Sequence, residues 1–319
     1  MGLLYAALAS AIFALCFAGL GCFFSAFCER RVVRVQRMTM WAELVRLMTR
    51  SENRTARAAP LLAWVAPVLV LAALPVASVH PLGEQMQTSV VPWGAIALVA
   101  FVPLASLAPL WAGWCSSEHL ALLGGVRTAV MHMSYASCLA LTLVAVVLAT
   151  GGLGLVAIVE QQTSSLGFLP RWNIFLQPLG AVAFLGWLFV WSERKPFGMA
   201  TGALASGYRS CFVGGDLVLL RLADHARLFI GAAVGVVLYG GGWHDPSGWS
   251  LSLAAWSAWA EMSVFLAKVF ALVAGLAWLR RVLPSFDYAQ SLRLLFFFFL
   301  PLALVNLLWT VFVVSAEGG

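Results

Sequence analysis

The sequence predicts an all-α integral membrane protein with about eight transmembrane helices and a short amphipathic surface helix in the first cytoplasmic loop. Three observations carry this. Of 319 residues, 62% are hydrophobic and only 10% charged, with a mean hydropathy of +0.93. Soluble domains do not have that composition. Apolar stretches of about twenty residues recur along the chain, each long enough to cross a hydrocarbon core of roughly 30 Å. Seventeen of the nineteen Lys and Arg residues lie in four stretches, 30–57, 127, 194–227 and 280–293, all on one side of those segments. Cytoplasmic loops collect Lys and Arg, so this asymmetry sets orientation as well as class. Arg171, in an opposite-side loop, and Lys268, inside an apolar segment, are the exceptions.

The expected spans are approximately 3–27, 60–79, 91–112, 127–149, 174–192, 217–240, 255–279 and 293–315, in one polytopic domain over 1–319. Backbone groups find no water in lipid, so each span is expected to be helical. The first apolar run lacks a basic leader and is followed by Arg30, Arg31, Arg34 and Arg37. It therefore reads as a membrane helix with its N-terminus outside, not a cleaved signal. An even number of spans returns the C-terminus to the outer side. In the first loop, Trp41, Leu44, Val45, Leu47 and Met48 recur at helical spacing among Glu43, Arg46 and Arg50, which predicts the surface helix. The outer loops 80–90, 150–173 and 241–254 carry turn signals such as Asp245-Pro246-Ser247-Gly248. Phe296–Phe299 reads as lipid-facing or core aromatic.

The net charge of +6 is explained by topology and suits anionic lipid or a partner protein, not nucleic acid. Six Cys occur singly with no Cys-x-x-Cys, so no iron–sulfur cluster, zinc site or disulfide framework is expected in this chain. Phosphate-loop, His-Glu-x-x-His and nucleophile-elbow patterns are absent from the sequence. No internal repeat is visible, which argues against an independent carrier with an inverted-repeat plan. The Gly pairs at 214–215 and 240–242 suit close packing or turns.

Ionisable residues at membrane depth are the functional candidates. Lys268 needs a carboxylate, carbonyls or water. Glu261 is two turns away, which leaves Asp216 and Asp224 as possible carboxylate partners. The Lys268 ammonium serves either a hydrated ion path or a structural helix–helix pair. Arg221, Asp224 and Arg227 are spaced three apart and can share one helix face as a local ion-pair cluster. His132, between Met131 and Met133, is either a proton-relay group or a hydrogen-bonded core residue.

Several motifs resemble a known family. They include Glu29-Arg30-Arg31 with Gln36, Gly113-Trp114-Cys115-Ser116-Ser117, Leu122-Leu123-Gly124-Gly125-Val126-Arg127 and Ser134-Tyr135. Arg194-Lys195-Pro196-Phe197, Phe212-Val213-Gly214-Gly215-Asp216, Tyr239-Gly240-Gly241-Gly242-Trp243, Lys268-Val269-Phe270 and Pro301-Leu302-Ala303-Leu304-Val305-Asn306 continue the match in order. Nearly the whole chain resembles the H-subunit family of NADH–quinone oxidoreductase, respiratory complex I, whose members form the heel of the membrane arm.

The resemblance implies a subunit that anchors peripheral redox subunits on the cytoplasmic side. It would also meet small and antiporter-like membrane subunits and carry no catalytic residue of its own. Glu29, Arg30, Arg31, Gln36, Trp41, Arg127, Arg194, Pro196 and Phe197 fall where the family contacts the quinone chamber and peripheral arm. Asp224, Lys268 and His132 are the ion-path candidates. Quinone is the ligand implied, with flavin and iron–sulfur clusters in partner subunits only. The location implied is a bacterial inner membrane.

The chain departs from the family at its acids. Ala136, Gly198, Thr201, Ala203 and Cys211 stand where the family has carboxylates, and the Gly-Pro-Asn-rich stretch of the first loop is missing. Losing buried carboxylates removes both a desolvation cost and a proton-exchanging site. The departures predict a reduced or rerouted proton path and altered quinone contact. The alternatives are a related ion-translocating complex of the energy-converting hydrogenase kind, or an independent secondary carrier.

Overall fold

The computed structural model describes residues 93–116, 118–163, 165–166, 169–194, 196–197, 207–212, 215–244 and 257–317. The first two expected spans and the surface helix lie outside the described residues. So do Glu29, Arg30, Arg31, Gln36, Trp41, Gly198, Thr201 and Ala203.

Helices α1 (Gly94–Ser106) and α2 (Ala108–Cys115) form one nearly continuous rod interrupted at Leu107. Pro109, at the start of α2, has no N–H to continue the ladder, which accounts for the break. Helix α3 (His119–Thr150) has 32 residues, or about 48 Å at 1.5 Å per residue. It starts eight residues before the expected span, so Arg127 sits on helix rather than in a loop. The stretch 113–126, expected as mostly loop, instead shrinks to a tight turn between α2 and α3. Gly125 makes this packing possible, because a Cβ there would lie 2.5 Å from the Pro109 carbonyl oxygen. Close backbone approach of this kind is how helices associate where lipid removes the hydrophobic drive.

Beyond α3 come α4 (Leu155–Gln161) and a two-residue antiparallel hairpin, β1 (Ser165–Leu166) with β2 (Leu169–Pro170). The hairpin lies within the 150–173 loop, and the described residues otherwise form helices, turns and their connections, consistent with the all-α expectation. Next are α5 (Asn173–Leu176), α6 (Pro178–Trp191), a 3₁₀ turn (Tyr208–Cys211), α7 (Gly215–Tyr239) and α8 (Ser257–Val282). Helix α9 (Tyr288–Leu294) runs through a π turn (Leu295–Phe299) into α10 (Leu300–Glu317). Asp287 and Gln290 start α9 with a reciprocal capping box.

Four of these stretches are long and apolar enough to cross a membrane: Gly94–Cys115, His119–Thr150, Glu261–Val282 and Tyr288–Ala316. Helix α6 is apolar but shorter. Helix α7 carries Arg221, Asp224 and Arg227 in its first half. The core forms where α3, α6, α7 and α8 meet, around Leu139, Phe184, Trp187, Leu188, Phe229 and Val269. The π turn divides its aromatic run. Phe297 is 83% exposed, while Phe299 packs against Tyr135 and Phe197. Both readings of Phe296–Phe299 therefore hold, for different residues of the run.

Candidate functional site

Four charged side chains meet at the end of the bundle where α6 stops and α7 begins. Helix α6 ends at Trp191, and the chain turns at Glu193, whose φ of 48° is left-handed. A non-glycine residue pays conformational energy there, and such outliers gather at functional sites. The 3₁₀ turn brings Tyr208 and Arg209 to the same point. Helix α7 contributes Asp224 and Arg227, three residues apart on one face.

Glu193 is the hub. Arg209 pairs with its Oε2 and Arg227 with its Oε1. The Tyr208 hydroxyl donates to Glu193 Oε2 at 3.0 Å. Arg209 also reaches Asp224 Oδ1 at 2.8 Å, so it bridges the two carboxylates. The Glu193 and Arg227 side chains are only 8% and 2% exposed. Two cations balance two anions, which is the condition under which such burial is tolerated. Burial alone would raise the Glu193 carboxyl, but Arg209 and Arg227, with His132, outweigh it and hold it well below the usual carboxylate range. The Tyr208 hydroxyl is pushed up by its burial.

His132, on α3, is buried with Nε2 3.8 Å from Glu193 Oε1. It is thus a buried core residue beside the cluster. A small cavity lies between His132, Thr128, Glu193, Phe197 and Tyr208, with room for about one water.

Around the cluster, Arg194 Nη2 lies 2.7 Å from His225 Nδ1. The Pro196 carbonyl accepts from Phe286 N–H at 2.9 Å. Phe197 is buried among Tyr135, Phe189, Phe286 and Phe299. Arg194, Pro196 and Phe197 therefore fasten the end of α6 to α7 and to the segment before α9. Arg127 stands apart on the exposed side of α3, over the Tyr288 ring at 5.9 Å. Ala136 is buried one turn beyond His132 on the same face of α3. The Cys211 thiol donates to Glu118 Oε2 at 3.0 Å, so a carboxylate from another element stands beside that position.

The structure gives partners to Asp224, Arg227 and Lys268. Asp224 takes Arg209, from the 3₁₀ turn, as its ion-pair partner, and Arg227 takes Glu193. Arg209 and Glu193, from other elements, thus join Asp224 and Arg227 of α7 in one tertiary cluster. Lys268 meets carbonyls, one of the kinds of partner expected for it. Its Nζ donates to the oxygens of Gly240, Gly242 and His244 at 2.9, 3.1 and 2.6 Å. Those carbonyls follow the end of α7, sixteen residues from Asp224, or roughly 24 Å along the helix. Asp224 and Lys268 therefore belong to opposite ends of the bundle.

The residues that sequence reasoning missed are Glu193, Tyr208 and Arg209. One signal was present: Arg227, two turns or more inside a spanning segment, required an anion.

Long apolar helices packed around buried, mutually neutralised charges define an α-helical integral membrane protein with ionisable groups inside its bundle. Its family follows from comparison with known proteins. The model of the NADH dehydrogenase family matches residues 5–311. The H subunit of NADH-quinone oxidoreductase from Salinibacter ruber (strain DSM 13855 / M31) is 30% identical over 278 residues, covering 83% of this chain and 80% of that protein. The chain belongs to the NADH dehydrogenase family.

Proposed function

We propose that the chain is the membrane-arm heel subunit of a complex I-type NADH–quinone oxidoreductase in a bacterial inner membrane. It spans the bilayer eight times, with both termini outside and the arginine-rich loops in the cytoplasm. Its partners are peripheral-arm redox subunits on that face, with small and antiporter-like membrane subunits beside it. Flavin and iron–sulfur chemistry belongs to the partners, and this chain contributes part of the wall of a quinone chamber. Glu29, Arg30, Arg31, Gln36, Trp41, Arg127, Arg194, Pro196 and Phe197 make those contacts.

The observation that carries this reading is the buried Glu193–Arg209–Asp224–Arg227 cluster at the arginine-rich end. Counting charges gives it a mechanism. Arg209 sits on a short turn and holds both carboxylates, whereas Arg227 is fixed within α7. If a partner or a quinone draws Arg209 away, two carboxylates face one cation. The excess negative charge then favours proton uptake. Return of Arg209 expels the proton. The cluster is the inner end of an ion path with His132 beside it, and Lys268 belongs to the outer end. The path is reduced or rerouted relative to the family because Ala136, Gly198, Thr201, Ala203 and Cys211 supply no carboxylate.

The purified complex in liposomes tests this. Arg209→Gln should lower the amount of complex and, in the complex that assembles, uncouple quinone reduction from proton movement. Ala136→Glu should change the number of protons moved per quinone. Full coupling that Ala136→Glu leaves untouched would show the path is not rerouted. Absence of any quinone reduction would favour a related complex with another acceptor, a reading motivated by the altered first loop and the segment after Phe197.

A further inference from the structure

The Lys268 ammonium occupies a cradle that other elements build without it. Helix α7 ends at Tyr239, and the chain turns through Gly240–His244. Gly241 and Gly242 have φ of 68° and 53°, and the Gly240, Gly242 and His244 carbonyls converge on one spot. Only glycine fits Gly241, since a Cβ would meet Trp172 Nε1 at 2.4 Å. The Trp172 ring covers the spot, with its centroid 4.5 Å from Lys268 Nζ.

The turn is held from behind. Gln162 Oε1 accepts from Gly241 N–H at 3.0 Å, and its Nε2 donates to the Val237 carbonyl at 3.0 Å. Asn173 Nδ2 donates to the Leu238 carbonyl at 2.8 Å. Gln162 and Asn173 are both fully buried. Lys268 reaches in from α8 and contributes to none of these bonds. Three converging carbonyls and an aromatic face are what a small monovalent cation requires in low dielectric. The three N–H donors of an ammonium match three carbonyl acceptors more closely than a spherical ion does.

We propose that this cradle is a monovalent-cation site for a primary ammonium, with Lys268 as its built-in occupant, fastening α8 to the end of α7. Truncating Lys268 leaves the site open to a free ammonium ion. Lys268→Ala removes three carbons and the nitrogen, which is the skeleton of n-propylammonium.

The test uses the whole purified complex carrying Lys268→Ala. Its thermal midpoint should fall below that of the unaltered complex. n-Propylammonium chloride should then restore about half or more of the loss, saturably, as mass action requires. Tetramethylammonium chloride at equal ionic strength should restore none, because it has no N–H donor. The unaltered complex should respond to neither salt. Equal responses to both salts, or no loss on truncation, would overturn the proposal. If Lys268→Ala does not accumulate, Lys268→Leu keeps the apolar stem and leaves room for ammonium itself. The same contrast, ammonium chloride against tetramethylammonium chloride, then decides.

Discussion

The two ends of α7 hold buried charge in opposite ways. At the arginine-rich end, Glu193 and Asp224 are answered by Arg209 and Arg227, side chain to side chain. At the other end, Lys268 is answered by backbone carbonyls and an indole. The first arrangement joins three elements, with Glu193 after α6, Arg209 on the 3₁₀ turn, and Asp224 and Arg227 together on α7, so a shift of Arg209 alters its charge balance. The second places its three carbonyl acceptors on one turn whose shape glycine geometry sets. One end therefore joins side chains from three elements, and the other seats an ammonium on a single backbone turn.

Breaking the hub of the first end should have the largest effect. Glu193→Ala leaves Arg209 and Arg227 buried without their shared anion, a loss on the order of 3–5 kcal/mol. The expected result is a strong fall in the amount of assembled complex, measured by blue-native electrophoresis of solubilised membranes. The same carboxyl gives the first end a pH signature. Its folded value lies below the ordinary 4.5, at about 2. A depressed acid contributes stability that is complete above 4.5 and is lost as pH falls toward 2. Thermal midpoints of the purified complex should drop across that interval. The drop should be shallower in Glu193→Gln, which has no proton to take up there. An equal slope in both would mean that the Glu193 charge is not what holds the cluster.

The second end should break next, through its backbone. Gly241→Ala introduces a side chain at φ 68° and into the Trp172 ring. The expected cost is about 1–3 kcal/mol, read as a lower thermal midpoint. If Gly241→Ala is tolerated while Glu193→Ala is not, the carbonyl cradle is softer than the contrast between the ends implies.

The same contrast explains what was legible in the sequence. The Lys268 end could be read in part, because Gly240-Gly241-Gly242-Trp243 is a local signal and turns are local structures. Carbonyls were among the partners open to Lys268, but which ones depended on a tertiary contact between α8 and the α7 turn. The Glu193 end was less legible. Asp224 and Arg227 are three apart and invited a pairing within one helix, yet each found its partner on another element. Arg209 lies fifteen residues before Asp224 in a loop whose return path no periodicity encodes. Glu193 looked like an ordinary loop acid beside Arg194 and Lys195, and its inward turn depends on a left-handed backbone that Glu does not advertise. The apolar helices were legible because lipid enforces backbone satisfaction everywhere. Their ends were not, since α3 extends about 18 Å beyond a 30 Å core.

Within the cluster, Tyr208→Phe should have a smaller effect. It removes one hydroxyl donor to a carboxylate, worth about 1.5–3 kcal/mol when fully buried. Two arginines still hold Glu193, so assembly should persist with a modestly lower midpoint. The informative readout is coupling. Tyr208 also lies 3.4 Å from Arg209 Nε, so its loss should loosen the group on which proton exchange depends. Proton movement per quinone should therefore fall more than the rate of quinone reduction.

The smallest structural effect is expected at Arg127, and for that reason it separates a contact role from a packing role. Arg127 lies on the exposed side of α3, over the Tyr288 ring at 5.9 Å. An exposed cation–π contact is worth about 0.5–1 kcal/mol, so Arg127→Gln should barely move the thermal midpoint. A residue that only packs would then leave turnover unchanged. A residue that lines a quinone chamber or meets the peripheral arm would raise KM for quinone or release redox subunits, with the membrane bundle intact. Tyr288→Leu removes the ring but leaves the guanidinium free to act, so it should reproduce the small stability change without the kinetic one. If the two variants behave alike in both measurements, Arg127 serves the fold, and the quinone contacts must be sought among the other residues of the arginine-rich end.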